Sequence, residues 1–276
     1  CGHGAFCKPR WLESCIGFLV HSFLLSPFFA WRESHRRHHR YNKNSALDMA
    51  WVKGEHNKKE YGQIKGMLNN PLGYIFISSI GFFIYIFGIG TKIGSRYQSR
   101  PFYRSNHFAT KNPIYKGMEN LIRLDRIAFI FSLSLSLLCC VKYGFITVFI
   151  HYYGLIFIVH FWVVTFTYTH HANEGEIWFH EDEWTFEKGL ICTYDREFGI
   201  GNVISIILHR ITDTHVAHHL SPSVPHYYAK KVTEILQREM GADYRRMPRC
   251  RSYLMEFLRE CRSWKNQWGC MDDYKT

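Results

Sequence analysis

From 143 to 169 the chain carries no Asp, Glu, Lys or Arg. A charge-free run of that length has no place on a soluble domain, and about 20 apolar residues in a helix cross the hydrocarbon core of a bilayer. Two further charge-free runs occupy 72–90 and 127–141, and 11–31 is apolar apart from Glu13 and His21, with Pro27 inside it. In lipid every backbone polar group must be satisfied within the segment, so runs this long read as helices. The implied fold class is an all-α integral membrane protein, built as a helical bundle under a polar, histidine-rich cap. Trp11, Trp31 and Trp162 stand near the ends of apolar runs, as interfacial anchors do.

Charge is concentrated outside these runs. The formal net charge is +11, with Arg32, Arg36, Arg37 and Arg40 in one group and Arg245, Arg246, Arg249 and Arg251 in another. Beside apolar spans such groups fit the cytoplasmic face of a bilayer and its anionic lipid. Nucleic acid is excluded as a partner, since a nucleic-acid binder has no use for the apolar runs. The nine cysteines include no CxxC pair, which excludes zinc-finger and disulfide frameworks and fits a reducing compartment. The chain starts at Cys1 rather than Met, so it is expected to be an N-terminally incomplete piece.

The chemistry lies in the histidines. His35-Arg36-Arg37-His38-His39 and His215-Val216-Ala217-His218-His219 are two copies of HxxHH. Even in a histidine-rich chain, two copies would coincide by chance in about one chain in 500. Positions i, i+3 and i+4 share a helix face, so three imidazoles can converge on metal. Six nitrogens from two such helices are too many for one tetrahedral zinc and suit two metals of octahedral type. His3 is a candidate seventh ligand.

His3 precedes the 11–31 run and His35 follows it, yet both must reach the same metals. That run is therefore expected to enter and return around Pro27, or to lie in the interface, rather than cross. By the same parity an even number of crossings separates His39 from His215. The reading keeps 72–90 and 143–169 as crossings and sets 127–141 aside.

His171, at the end of the third run, and His209, six residues before His215, are weaker candidates for the metal. A ligating imidazole usually donates its other N–H to a carboxylate or carbonyl, which makes Asp213 and Asp195 candidates for that supporting role. For Asp213 a turn or cap in Thr212-Asp213-Thr214 is an equal reading. His21, His151 and His160 read as neutral histidines bonded to backbone, and His56, His107, His180 and His226 as local structure. No GxSxG, Walker, GxGxxG or HExxH sequence is present.

These boxes resemble the membrane fatty acid desaturases, and within them the acyl-lipid delta-12 group. Cys1-Gly2-His3 looks like the end of the first histidine box, whose opening histidine would precede Cys1. Ser34–His39 looks like the second box, and Ile211 to Leu220 like the third. Asn69-Asn70-Pro71, Asn112-Pro113, Asp195-Arg196-Glu197-Phe198-Gly199 and Pro225-His226-Tyr227 resemble connecting sequences of the same group. Val216-Ala217 favours the delta-12 branch over the omega-3 branch, where Val-Ile usually stands. Tyr168-Thr169-His170-His171-Ala172 departs from the family's Gln-His-Thr-His-Pro, and Leu220 to Val224 departs mildly as well.

The resemblance implies a desaturase domain over 1–240 and a cytoplasmic tail over 241–276. It implies two iron ions held by His3, His35, His38, His39, His215, His218 and His219, with O2 as co-substrate. The implied reaction is oxygen-dependent insertion of a cis double bond into a lipid-linked acyl chain, oleate becoming linoleate. Electrons would come from NADH through its reductase and cytochrome b5. The implied place is the endoplasmic reticulum membrane with the boxes facing the cytoplasm. An acyl hydroxylase, conjugase, acetylenase or omega-3 desaturase could use the same ligands. A non-catalytic metal-binding membrane protein is the alternative of another class.

Overall fold

A computed structural model describes residues 2–44, 46–49, 71–88, 106–171, 178–198 and 202–250. His56 and the chain beyond Cys250 lie outside the described residues. The chain divides into two compact units. One comprises Cys1–Arg40, Ala46–Gly54 and Ser78–Val163, and the other Tyr41–Ser45, Glu55–Ile77 and Val164–Thr276.

The first unit opens on α1 (Arg10–Phe23) and α2 (Phe28–Tyr41), which bend by 106° across a short break. The bend follows from the residues between them. Pro27 disfavours helical backbone at the residue before it, and Leu25 takes a left-handed φ of 52°. The expected return around Pro27 thus corresponds to a sharp corner. α2 then needs a new N-terminus, and its first N–H groups have no partner within the helix. The carboxylate of Asp125 accepts from the backbone N–H of Phe29 at 3.2 Å and of Ala30 at 2.9 Å. Ala30 joins Met49, Ile114, Tyr115 and Ile122 in a buried apolar cluster that fixes the inner face of α2. On its outer face Arg36 and Arg37 both pair with Glu33.

α3 (Pro71–Phe87) has 17 residues, or about 25 Å at the usual helical rise, and is shorter than the other two apolar helices. α4 (Glu119–Tyr143) has 25 residues and α5 (Phe145–His171) has 27, and both are long and apolar enough to cross a membrane. This corrects the reading that set 127–141 aside. The charge-free run is only the core of α4, which begins eight residues earlier. The charge of Asp125 is taken up by the α2 N-terminus, and Arg126 donates to the carbonyl of Phe108. Ile127, Ile130, Phe131, Leu135, Leu138 and Val141 are exposed, an outward apolar surface that suits lipid rather than water.

Gly144 alone joins α4 to α5. Its φ of 86° lies in the left-handed region, where only glycine is free of strain. Ser136 and Tyr153 then hydrogen-bond across the two helices at 2.7 Å. A single π turn at Phe149–Tyr153 interrupts α5.

The second unit contains the end of α5, α6 (Phe186–Ile191), β1 (Asp195–Phe198), α7 (Asn202–Ile207), α8 (His215–Leu220), α9 (His226–Met240) and β2 (Arg246–Cys250). β1 and β2 pair in parallel, with Asp195 opposite Arg246 and Arg196 opposite Met247. Among the described residues the all-α expectation becomes a largely helical fold with one two-stranded ribbon. Residues 246–250, expected in a tail, form half of that ribbon. The cause is local: Asp195 and Arg196 are both buried, and extended backbone lets their side chains point to opposite sides.

Candidate metal centre

Each unit gathers its own set of histidines. In the first, α2 places His35 and His39 one turn apart, their Nε2 atoms 3.2 Å from each other. His3 closes over them, with ring centroids 4.9 Å from His35 and 4.8 Å from His39. Ligand nitrogens of these three lie within 4.8 Å of one another. Gly2 allows the approach, because a Cβ there would come within 2.9 Å of the Trp31 ring. Trp31 in turn stacks on His35 at 4.5 Å. Burial, above all other influences, pushes the His3 imidazole down to about 4, so at neutral pH it offers a lone pair rather than a charge.

His38 points elsewhere from the same helix. Its Nδ1–H donates to Asp48 at 2.8 Å, and both side chains are 1% exposed. A carboxylate behind Nδ1 fixes the tautomer and leaves Nε2 as the available lone pair. Asp48→Ala is expected to weaken iron binding about 10- to 100-fold, read by competition with a coloured chelator. Asp48→Asn should weaken it less, since an amide oxygen still accepts from Nδ1–H.

In the second unit the set is His171, His215 and His219. His171 Nε2 lies 3.0 Å from His215 Nε2 and 3.1 Å from His219 Nε2, and all three residues are buried. The cap of α8 explains how this short helix is held. Thr214 occupies the N-cap position, but its hydroxyl donates to the carbonyl of Arg210. Asp195 supplies the cap instead, accepting from the backbone N–H of Val216 at 2.8 Å and from the hydroxyl of Tyr244. Burial pushes the Asp195 carboxyl up to about 6 against these hydrogen bonds, so it remains mostly ionised at neutral pH.

The end of α5 is fixed by two buried cations. Lys43 Nζ donates to the carbonyl of His171, and Arg196 Nε to that of Thr169 at 2.6 Å. Cations suit the negative end of a helix. His170 donates from Nδ1 to the carbonyl of Tyr194 at 2.7 Å and stacks on His215 at 4.2 Å.

This geometry suits a metal better than hydrogen bonding among imidazoles. A neutral imidazole nitrogen carries either one proton or one lone pair. His171 Nε2 faces two other Nε2 atoms, so its one proton or one lone pair must be shared between two contacts. Lone pairs directed at one cation resolve the conflict. Nitrogens 3.0 and 3.1 Å apart are close enough to share one cation. Among the described residues the groups able to hold metal offer imidazole donors only, with no thiolate, a donor set that suits iron.

The remaining expected residues are placed as follows. His218 is half-buried on α8, its ring 5.6 Å from that of His215. His209 is exposed and packs against His226 at 4.5 Å. Asp213 pairs with Arg210 at 2.7 Å. Asp195 acts on backbone rather than on an imidazole. Asp48, Lys43 and His170 were not anticipated. Asp48 stands ten residues past His38 in a loop, where no helical spacing marks it.

The family model described as "Fatty acid desaturase" matches residues 1–250. The chain is 34% identical over 250 residues to "Omega-6 fatty acid desaturase, endoplasmic reticulum isozyme 1" of Glycine max, covering 88% of this chain and 62% of that protein. It is 34% identical over 247 residues to "Delta(12)-fatty-acid desaturase" of Arabidopsis thaliana, with the same coverage. To "Delta(12) fatty acid dehydrogenase" of Crepis alpina it is 32% identical, covering 89% of this chain and 64% of that one. The chain thus spans less than two thirds of the length of these relatives.

Proposed function

The chain belongs to the fatty acid desaturase family, and from that premise we propose that it serves an oxygen-dependent enzyme that inserts a cis double bond at the delta-12 position of a lipid-linked oleoyl chain. The observation that carries this reading is the convergence of His171, His215 and His219 nitrogens at 3.0 and 3.1 Å; the first unit gathers a set of its own in His3, His35 and His39. Two sets of neutral imidazoles suit two irons. The names of the relatives in Glycine max and Arabidopsis thaliana support the omega-6, or delta-12, position.

The net reaction takes one hydrogen from each of two adjacent methylenes. With two electrons and two protons from outside, these reduce one O2 to two waters. Bound iron would supply the oxygen activation that an unactivated C–H bond demands. The chain's own residues hold and orient. His171, His215 and His219 offer lone pairs from a buried position, where water is excluded. Asp48 sets the His38 tautomer, and Asp195 sets the start of the helix that carries His215 and His219. Ligands next to apolar helices let an acyl chain arrive without leaving apolar surroundings.

Crossings by α4 and α5 alone would leave both HxxHH motifs on one side of the bilayer, by parity. We read that side as cytoplasmic and the membrane as endoplasmic reticulum, with cytochrome b5 and its NADH-dependent reductase as the electron source. The net charge of +11 suits an acidic electron carrier.

The test is the acyl profile of an oleate-rich host expressing the complete gene, read by gas chromatography and mass spectrometry. Linoleate is the expected product. Hydroxylated chains without a new alkene would overturn the desaturase reading in favour of a hydroxylase.

A further inference from the structure

α7 is built inside out. Val203, Ile206 and Ile207 stand at i, i+3 and i+4 and so share one face, and they are 63%, 58% and 68% exposed. Ser205, the polar residue between them, is 3% exposed. A helix on a water-facing surface turns its apolar stripe inward, and this one turns it outward. A compact apolar face of this kind asks for an apolar neighbour.

The surface continues beyond α7. His209 packs on His226 at 4.5 Å, which brings the start of α9 beside it. There Tyr227 and Tyr228 are exposed, followed within one turn by exposed Lys230 and Lys231. Exposed aliphatic residues suit acyl chains, tyrosines the interface and lysines anionic headgroups. The second unit also contains the end of α5, one of the two helices long enough to cross a membrane. A lipid surface is therefore the natural neighbour.

We propose that α7 and the first turns of α9 lie in the bilayer interface, with Val203, Ile206 and Ile207 among the acyl chains and Lys230 and Lys231 at anionic headgroups. The second unit then rests on the membrane through these two elements. This inference rests on the apolar helices and not on the reaction, so it stands or falls independently of the proposed desaturation.

The test uses the full chain in vesicles of phosphatidylcholine and phosphatidylserine containing a phosphatidylcholine with a diazirine in its acyl chain. After irradiation, peptides are mapped by mass spectrometry. Label is expected on the peptide containing Val203 to Ile207 as well as on α4 and α5. Ile206→Asn with Ile207→Asn should reduce label on that peptide at least tenfold while leaving α4 and α5 labelled. Lys230→Glu with Lys231→Glu should abolish any gain from phosphatidylserine. Label confined to the spans, with α7 open to hydroxyl-radical footprinting from water, would overturn the proposal. So would loss of α7 label in favour of chain-to-chain cross-links as protein density rises, which would identify a second copy as the occupant.

Discussion

Alanine at His219 is expected to abolish turnover in the complete protein, whereas alanine at His209 should leave it near normal. The two histidines are ten residues apart in one histidine-rich segment, yet their surroundings differ in kind. His219 is buried with its Nε2 3.1 Å from that of His171. His209 is exposed and meets only the neighbouring His226 among the rings described. Loss of a metal ligand removes several kcal/mol of transition-state stabilisation, about 10³-fold or more in rate. His219→Ala should also lower the iron content per chain, read by atomic emission on detergent-purified protein. Membrane insertion should survive, because α4 and α5 carry it; resistance to carbonate extraction checks this. His171→Ala should match His219→Ala. If His219→Ala kept its turnover, the His171 set would not be part of the reaction.

What could be read from sequence followed the range of each interaction. The HxxHH motifs act within one turn of helix, so their spacing states their geometry directly. α4 was set aside because parity left two places for three apolar runs, and Arg123, Asp125 and Arg126 cut its charge-free run down to 127–141. The partner that absorbs the Asp125 charge is Ala30, 95 residues away, and no local pattern announces it. Asp195 was singled out as a support for the histidines, but as a partner of an imidazole. Its partners are the backbone N–H of Val216 and the hydroxyl of Tyr244, and the second of these comes from the stretch read as a tail. β1 and β2 escaped notice because Asp-Arg-Glu-Phe and Arg-Met-Pro-Arg-Cys show no apolar alternation. His171 and His209 looked alike in sequence, each following an apolar stretch. Only the packing of α5 against α8 separates them.

The two histidine helices share a device that leads to the second large effect. A buried aspartate from a distant element caps each of them: Asp125 at the start of α2 and Asp195 at the start of α8. A helix of six residues has no stability of its own, so α8 depends on such anchors more than α2 does. Asp195→Ala would strand the Val216 N–H and the Tyr244 hydroxyl, at about 1.5–3 kcal/mol for each charge-assisted bond lost. That is a large share of the stability of an ordinary domain. Asp195→Asn keeps an acceptor for Val216 and should cost only about 1 kcal/mol. The expected outcome is that Asp195→Ala releases iron to a chelator at least tenfold faster than the unaltered protein, with Asp195→Asn close to the latter. Asp125→Ala should also loosen iron, but less steeply, because α2 has 14 residues and further packing. Rescue by asparagine distinguishes a cap from a requirement for charge. Iron release from Asp195→Ala within twofold of the unaltered rate would show that α8 holds His215 and His219 in place without its cap.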